Sequence, residues 1–310
     1  MSGFTITAGV SFSGGITMTE GPVENTAAWF GGGYYMPGGQ YTTVDRITFA
    51  TDTATASVRG PLSLARSGIG AAGTTTDGWF GGGYSSGGLS RVDRITYASD
   101  TATASVRGPL SEARSGLAAT GTTIYGWFGG GTSTVDRITW ATDTATASVR
   151  GPLSMARSQL GASGNNTDGW FSGGVWTVRV DRITYATDTA TASVRGSLSV
   201  GVYGLGATGN STNGWIGGGR DQDLGNSSIV QRITYATDTA TASVRGPLSV
   251  GRYGVAAAGN TTDGWFVAAY APVPFSTVDR ITYATDTAAS SVRGPISSAR
   301  GGLGGASGIQ

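Results

Sequence analysis

The chain has no cysteine and no histidine, and its 20 basic residues are all arginine. The first absence excludes disulfides and thiolate chemistry; the second removes imidazole bases and the commonest zinc ligand. No stretch approaches the ~20 apolar residues of a membrane-spanning helix, and the N-terminus has neither a basic start nor an apolar block of signal-peptide length. Neither membrane insertion nor Sec export is expected. Net charge is nearly absent as well: 19 acidic residues balance the arginines to leave +1. A nucleic-acid binder needs a basic stripe or a large positive excess, so nucleic acid is not an expected partner.

Glycine is abundant instead, with 54 in 310 residues, more than twice the usual share of ~7%. Aromatic and aliphatic residues recur at fixed places between the glycines, which points to regular burial rather than a low-complexity tail. Length alone would suggest two domains, but an internal repeat makes one architecture the simpler reading.

The phrase Asp-Arg-Ile-Thr begins at Asp45, Asp93, Asp136, Asp181 and Asp279, and Gln231 replaces the acid in a sixth copy. Each copy follows a tryptophan segment, at Trp29, Trp79, Trp127, Trp170, Trp215 and Trp265, and precedes a Thr-Asp-Thr turn (Ser-Asp-Thr once) and a Ser-Val-Arg-Gly phrase. Four extended segments can be marked in one unit: 116–120, 127–131, 135–141 and 144–150. They are rich in β-branched and aromatic residues and are bounded by Gly, Asp, Asn and Pro. Four short strands per unit of 43 to 50 residues is the pattern of propeller blades, whose sheets bury both faces against their neighbours. Small residues such as Ala118 and Ala119 suit the crowded innermost strand.

The chain ends support closure. Trp29 has no innermost strand before it, whereas the last copy runs past Arg300 into residues 302–308, such a strand with no tryptophan segment after it. The expected fold is all-β: a six-bladed β-propeller over residues 25–310, four antiparallel strands per blade, with the C-terminal strand completing blade one. Residues 1–24 form an extension with Phe4, Ile6, Val10, Phe12, Ile16 and Met18 on even positions, a strand or hairpin with one apolar face. It is expected to pack on the propeller or to dock into another subunit by strand addition.

The order Arg114, apolar strand 116–120, aromatic strand 127–131 ending in glycines, variable loop, then Ile138 to Trp140 resembles the kelch repeat. It departs from that pattern on the outer strand, where kelch blades usually carry a late Trp and this chain reads Ala-Ser-Val. The Trp-Phe-Gly-Gly-Gly and Ala-Thr-Asp-Thr-Ala-Thr-Ala-Ser-Val-Arg-Gly-Pro-Leu-Ser strings also resemble repeat-rich virion and tail proteins of marine, cyanophage-like bacteriophages. That resemblance implies a virion component. Its expected partners are other virion subunits, a host surface glycan or protein, and further copies of itself in a homo-oligomer; the alternative is a structural assembly, capsid decoration or head fibre module.

The constant residues read as structural first. Asp52, Asp100, Asp143, Asp188, Asp238 and Asp286 are expected to cap their own turns by accepting backbone amides, with a ring of calcium sites as the sharper alternative. Arg59, Arg107, Arg150, Arg195, Arg245 and Arg293 are expected to pair with Asp45 and its equivalents, or to line one face for an anionic polymer. Arg66, Arg114, Arg157, Arg252 and Arg300 are read the same way, their copy after blade four being lost at Gly201. The tryptophans and the Phe or Ile after them are expected as ridges between blades. Serines lack a histidine partner and the carboxylates follow the repeat, so no catalytic residue, metal or cofactor is expected and the chain reads as a non-enzyme.

Variation is concentrated between the glycine-rich strand and the Asp-Arg strand. Blade one has a long loop around Tyr34, Tyr35 and Tyr41; blade three has only Thr132, Ser133 and Thr134. These loops share a face with the connections between blades, and that face is expected to bind a partner through Tyr34, Tyr35, Tyr41, Trp176, Asp221, Asp223, Tyr270 and Phe275. Asp221 and Asp223 also carry a faint calcium-loop echo.

Overall fold

The computed structural model describes residues 26–308 apart from 36, 176, 222–224 and 271–273. The extension 1–24, Trp176 and Asp223 therefore lie outside the described residues.

Six four-stranded antiparallel sheets succeed one another around an axis. Blade three shows the plan: an innermost strand Leu117–Gly121, then Tyr125–Gly130, Val135–Thr139 and an outer Ser148–Arg150. Blade one is completed from the far end of the chain, Gly304–Ala306 pairing with Ala27–Gly31 so that Trp29 faces Ala306 and Gly31 faces Gly304. This closure leaves no open end to the ring and pins both chain ends in one sheet.

The third strand is shorter than the expected 135–141. A 3-10 turn at Trp140–Thr142 replaces its end, and the same turn follows the third strand in every blade. The turn swings its first aromatic out of the strand and onto the tryptophan of the preceding blade. The rings stack at 3.6 Å for Trp29 on Tyr97, 4.0 Å for Trp79 on Trp140 and 4.1 Å for Trp265 on Phe49. Residues 144–147 are then needed to bring the chain back, and the outer strand begins only at Ser148.

Period-two alternation puts the two large residues of the second strand on opposite faces. Trp29 packs with Phe80, Ile69 and Leu62 toward blade two, while Phe30 packs with Trp265 and Val267 of blade six. Each blade is thus hydrophobic on both sides, and burying one such side chain is worth roughly 1.5–3 kcal/mol. The residue before each tryptophan must be small because the turn aromatic of its own blade lies against it. A Cβ at Gly78 or Gly214 would meet the hydroxyl of Tyr97 or Tyr235. Blade one carries Ala28 there, and its turn aromatic is Phe49, without a hydroxyl.

The turn aspartates do not cap their own turns as expected. Each is nearly buried and accepts the indole N–H of the preceding blade's tryptophan, from Trp29 to Asp100 at 2.8 Å through to Trp265 to Asp52 at 2.9 Å across the closure. The same Oδ2 is flanked by two arginines of that preceding blade: Arg46 at 3.2 Å and Arg59 at 3.5 Å for Asp100, and Arg280 at 3.2 Å and Arg293 at 3.4 Å for Asp52. A carboxylate so placed joins two blades, which a purely local turn does not require. Arg59 and its equivalents therefore pair with the turn aspartates rather than with Asp45 and its equivalents.

Asp45, Asp93, Asp136, Asp181 and Asp279 take the other arginines. Arg66 meets Asp93 at 2.8 Å, Arg157 meets Asp181 at 2.6 Å and Arg300 meets Asp45 at 2.7 Å, with every partner buried. Arg66 also donates to the carbonyls of Phe80 and Gly82 at 3.0 and 2.9 Å. Burial lowers the affinity of the Arg66 and Arg114 guanidiniums for their protons and raises the Asp136 carboxyl, even though each partner's charge opposes that shift. Blade five lacks the pair on both sides. Gln231 replaces the acid and accepts from Ser199 N and Oγ at 2.6 and 2.8 Å. The arginine position is filled by buried Val202, one residue beyond the expected Gly201.

Candidate binding face

The loops between second and third strands emerge beside the inter-blade connections, as backbone pairing shows: Tyr34 bridges Gly301, Ser67 bridges Tyr84, Tyr203 bridges Arg220 and Tyr253 bridges Tyr270. The opposite face carries the 3-10 turns, each tied to the residue just before the tryptophan strand of its own blade, as in Tyr97 N to Thr76 O at 2.8 Å and Phe49 N to Thr26 O at 2.9 Å.

At the axis on the loop face, six residues form a closed cycle of backbone hydrogen bonds. Gly68 N donates to Gly302 O, Gly302 to Gly254, Gly254 to Gly204, Gly204 to Gln159, Gln159 to Gly116 and Gly116 back to Gly68, at 2.6 to 2.8 Å. All six have φ between 59° and 71°, the left-handed region. Five are glycine; Gln159 is the one non-glycine residue with positive φ among the described residues. Below this annulus lies a ring of aliphatic side chains that includes Ile69, Leu117, Leu160 and Leu205. The annulus and this aliphatic ring both line a cavity of about 320 Å3, whose wall also includes Tyr84, Tyr253, Tyr270 and Gln159.

The wall is uneven. Rings follow one another from Tyr203 to Tyr253 at 6.2 Å, Tyr253 to Tyr270 at 5.2 Å and Tyr270 to Tyr34 at 6.4 Å, an aromatic crescent over blades five, six and one. The Tyr270 hydroxyl donates to the carbonyls of Tyr34 and Gly301, and burial holds its phenol above the usual range. The Arg220 guanidinium lies 5.8 Å from the Tyr253 ring centre. On the opposite side, blades three and four place only Ser115 and Ser158 at the positions of Tyr203 and Tyr253.

Of the described residues expected on this face, the structure brings Tyr34 and Tyr270 together in the crescent, and Tyr35, Tyr41, Asp221 and Phe275 lie elsewhere in the loops. Tyr35 and Tyr41 lie against the turn at Gly38, Tyr35 within and Tyr41 just after a two-strand hairpin of Tyr34–Tyr35 with Gly39–Gln40. Asp221 pairs with Gly225 in a second such hairpin. Phe275 sits opposite Ala269, where the blade-six strands extend into the loop with a bulge. Tyr203, Tyr253 and Gln159 were missed because they lie in the constant phrase rather than in a variable loop. The signal was present: Tyr stands where other copies read Ser67, Ser115 and Ser158, and Gln stands where they read Gly.

No family model and no curated protein matches the chain. It is similar to a solved structure described as the structure of YjhT, at 11% identity over 88% of this chain and 95% of that one, with a TM-score of 0.69. At that identity the likeness concerns architecture alone, and together with the closed ring of six four-stranded sheets it supports one conclusion: the chain folds as a six-bladed β-propeller.

Proposed function

We propose that the chain is a non-enzymatic, virion-associated scaffold of a bacteriophage, with a kelch-like repeat, that recognises a host surface glycan or protein through its loop face. The carrying observation is the aromatic crescent Tyr203, Tyr253, Tyr270 and Tyr34, which breaks sixfold regularity on the face where the loops vary. All four rings are half-buried, and tyrosine is among the side chains most enriched in binding hot spots. The virion setting rests on the repeated strings quoted above, and residues 1–24 are assigned the role of joining other virion subunits by strand addition.

The test is binding of labelled protein to marine bacterial cells and their surface polysaccharides, against a variant with loops 34–43 and 220–229 shortened to the Thr-Ser-Thr of blade three. The short loop keeps the inward hydrogen bond that the longer ones make, Leu153 N to Ser133 O at 2.8 Å beside Leu62 N to Thr42 O at 2.8 Å. The fold should therefore survive, and binding should fall at least tenfold. Equal binding would remove the loops from the reading.

One feature favours the assembly role instead. Val58, Val106, Val149, Val194, Val244 and Val292 are each 51–60% exposed, one on every outer strand. An open edge strand with apolar side chains is a surface that takes another chain. Under that reading Val106→Lys with Val149→Lys lowers incorporation into particles and leaves cell binding unchanged.

A further inference from the structure

We infer that the axial cavity on the loop face is a site for one uncharged pyranose ring, with Gln159 as its polar anchor and Tyr253 as its stacking wall. This rests on the proposal that the loop face is a recognition surface, and it names what that surface recognises.

The first argument is what the cavity cannot pair with. No charged residue is among those lining it. The six annulus N–H groups, which in an open loop would cradle an anion, all donate to neighbouring carbonyls. The Arg220 guanidinium lies 5.8 Å from the Tyr253 ring centre but does not line the cavity, so a carboxylate, phosphate or sulfate would lose its water there without a direct counter-charge. What remains is a neutral ligand.

The second argument is size and surface. A volume of about 320 Å3 is at the small end of the ~300–1,000 Å3 typical of small-molecule pockets. It holds one ring, not an extended polymer. Its wall combines tyrosine faces with aliphatic side chains, suited to the C–H face of a sugar. Ser67, Ser115, Ser158 and the Gln159 amide supply donors and acceptors suited to ring hydroxyls or an N-acetyl group. The Tyr270 hydroxyl is already committed to Tyr34 and Gly301, which fixes that ring as a wall.

The third argument is strain. A side chain at φ 59° is disfavoured by contact between Cβ and the backbone, and five of six blades avoid it with glycine. Gln159 is exposed and among the residues lining the cavity, and its Cγ reaches to 3.4 Å of the place a Cβ would take on the neighbouring Gly116 of the annulus. No hydrogen bond to its side-chain amide occurs among the described residues. The fold leaves that amide to a ligand in the cavity.

The experiment is saturation-transfer NMR and calorimetry of the full chain with methyl glycosides of glucose, galactose, mannose and N-acetylglucosamine, and with methyl glucuronide as the charged control. At least one neutral glycoside should bind, and the glucuronide at least tenfold more weakly. Gln159→Gly should keep or raise the melting temperature while weakening that glycoside at least fivefold, a combination that a merely structural glutamine does not give. Tyr253→Ala should abolish the saturation transfer. Absence of binding by every neutral glycoside, or equal binding by Gln159→Gly, overturns the site. If a glycoside binds but cells do not, the pocket stands and host attachment falls. If cells bind Gln159→Gly and wild type alike, recognition stands and the pocket falls.

Discussion

Between the blades, one contact is made six times; at the axis of the loop face, six equivalent positions are filled differently. Every interface has a tryptophan stacked on a turn aromatic and donating to an aspartate, including the interface that closes the ring from Trp265 to Asp52. Around the axis, the same backbone cycle carries tyrosines beside it on blades five and six and serines on blades two, three and four. Repetition of this contact makes the six joints alike and keeps the disc rigid, even at blade five, where the buried arginine–aspartate pair is replaced by Val202 and Gln231. That rigidity lets the axial positions change without moving their neighbours, so the two regions answer to different demands.

Breaking the repeated part should cost most where a charge is left alone. Arg300→Ala strands buried Asp45 at the seam where the chain ends meet, and loss of one partner from such a pair costs about 3–5 kcal/mol; urea unfolding reads it. Blade five offers the converse. Val202→Arg alone places an unpaired cation beside Gln231 and should destabilise by several kcal/mol, while adding Gln231→Asp should restore most of the loss, a double-mutant coupling above ~1 kcal/mol. Next in size is the interface clamp. Trp127→Phe removes the donor to Asp188 at 2.9 Å, and a hydrogen bond to a charged group is worth about 1.5–3 kcal/mol. The same change at Trp29 or Trp265 should agree to within about 0.5 kcal/mol; a wider spread would show that the interfaces are not equivalent.

The blades were legible because strand period and repeat period are local patterns, and the closing strand because a missing segment at one end matched a surplus at the other. The pairing of charges was not. Arginines and aspartates recur with one spacing, so every arginine has several aspartates at equivalent sequence offsets, and only the stagger between neighbouring blades selects Asp100 for Arg59 and Asp93 for Arg66. The crescent was hidden for a related reason: Tyr34 and Tyr270 are 236 residues apart and become neighbours only when the ring closes. Loop length drew attention to Tyr35, Tyr41 and Phe275, yet the residues that converge are those nearest the axis. A departure from the consensus phrase, as at Tyr203, Tyr253 and Gln159, is the better guide in a repeat of this kind.

Alkaline pH probes the interfaces one phenol at a time. Burial raises the pKa of Tyr97, Tyr185 and Tyr235 above the ordinary value of 10.0. The folded state therefore holds these protons where the unfolded chain releases them. Their stabilisation is complete below about pH 10 and is lost as pH rises beyond it, at about 1.4 kcal/mol per pH unit for each phenol. Tyr97→Phe should remove one such contribution. The interfaces with Trp140 and Phe49 at this position already lack an ionisable ring, so Trp140→Phe should leave the alkaline slope unchanged.

The smallest expected effect on stability belongs to the axial region and separates the two regions most sharply. Tyr84 is 47% exposed on the blade-two side of the cavity and is held by backbone pairing with Ser67. Tyr84→Ala keeps that backbone bridge and leaves the repeated interfaces untouched, so unfolding should shift by no more than about 0.5 kcal/mol, as for surface changes away from packed or buried features. If the axial positions serve recognition, the same variant should still weaken the glycoside that binds the cavity. A loss of stability near that of Trp127→Phe, with binding unaltered, would instead make the axis one more part of the scaffold.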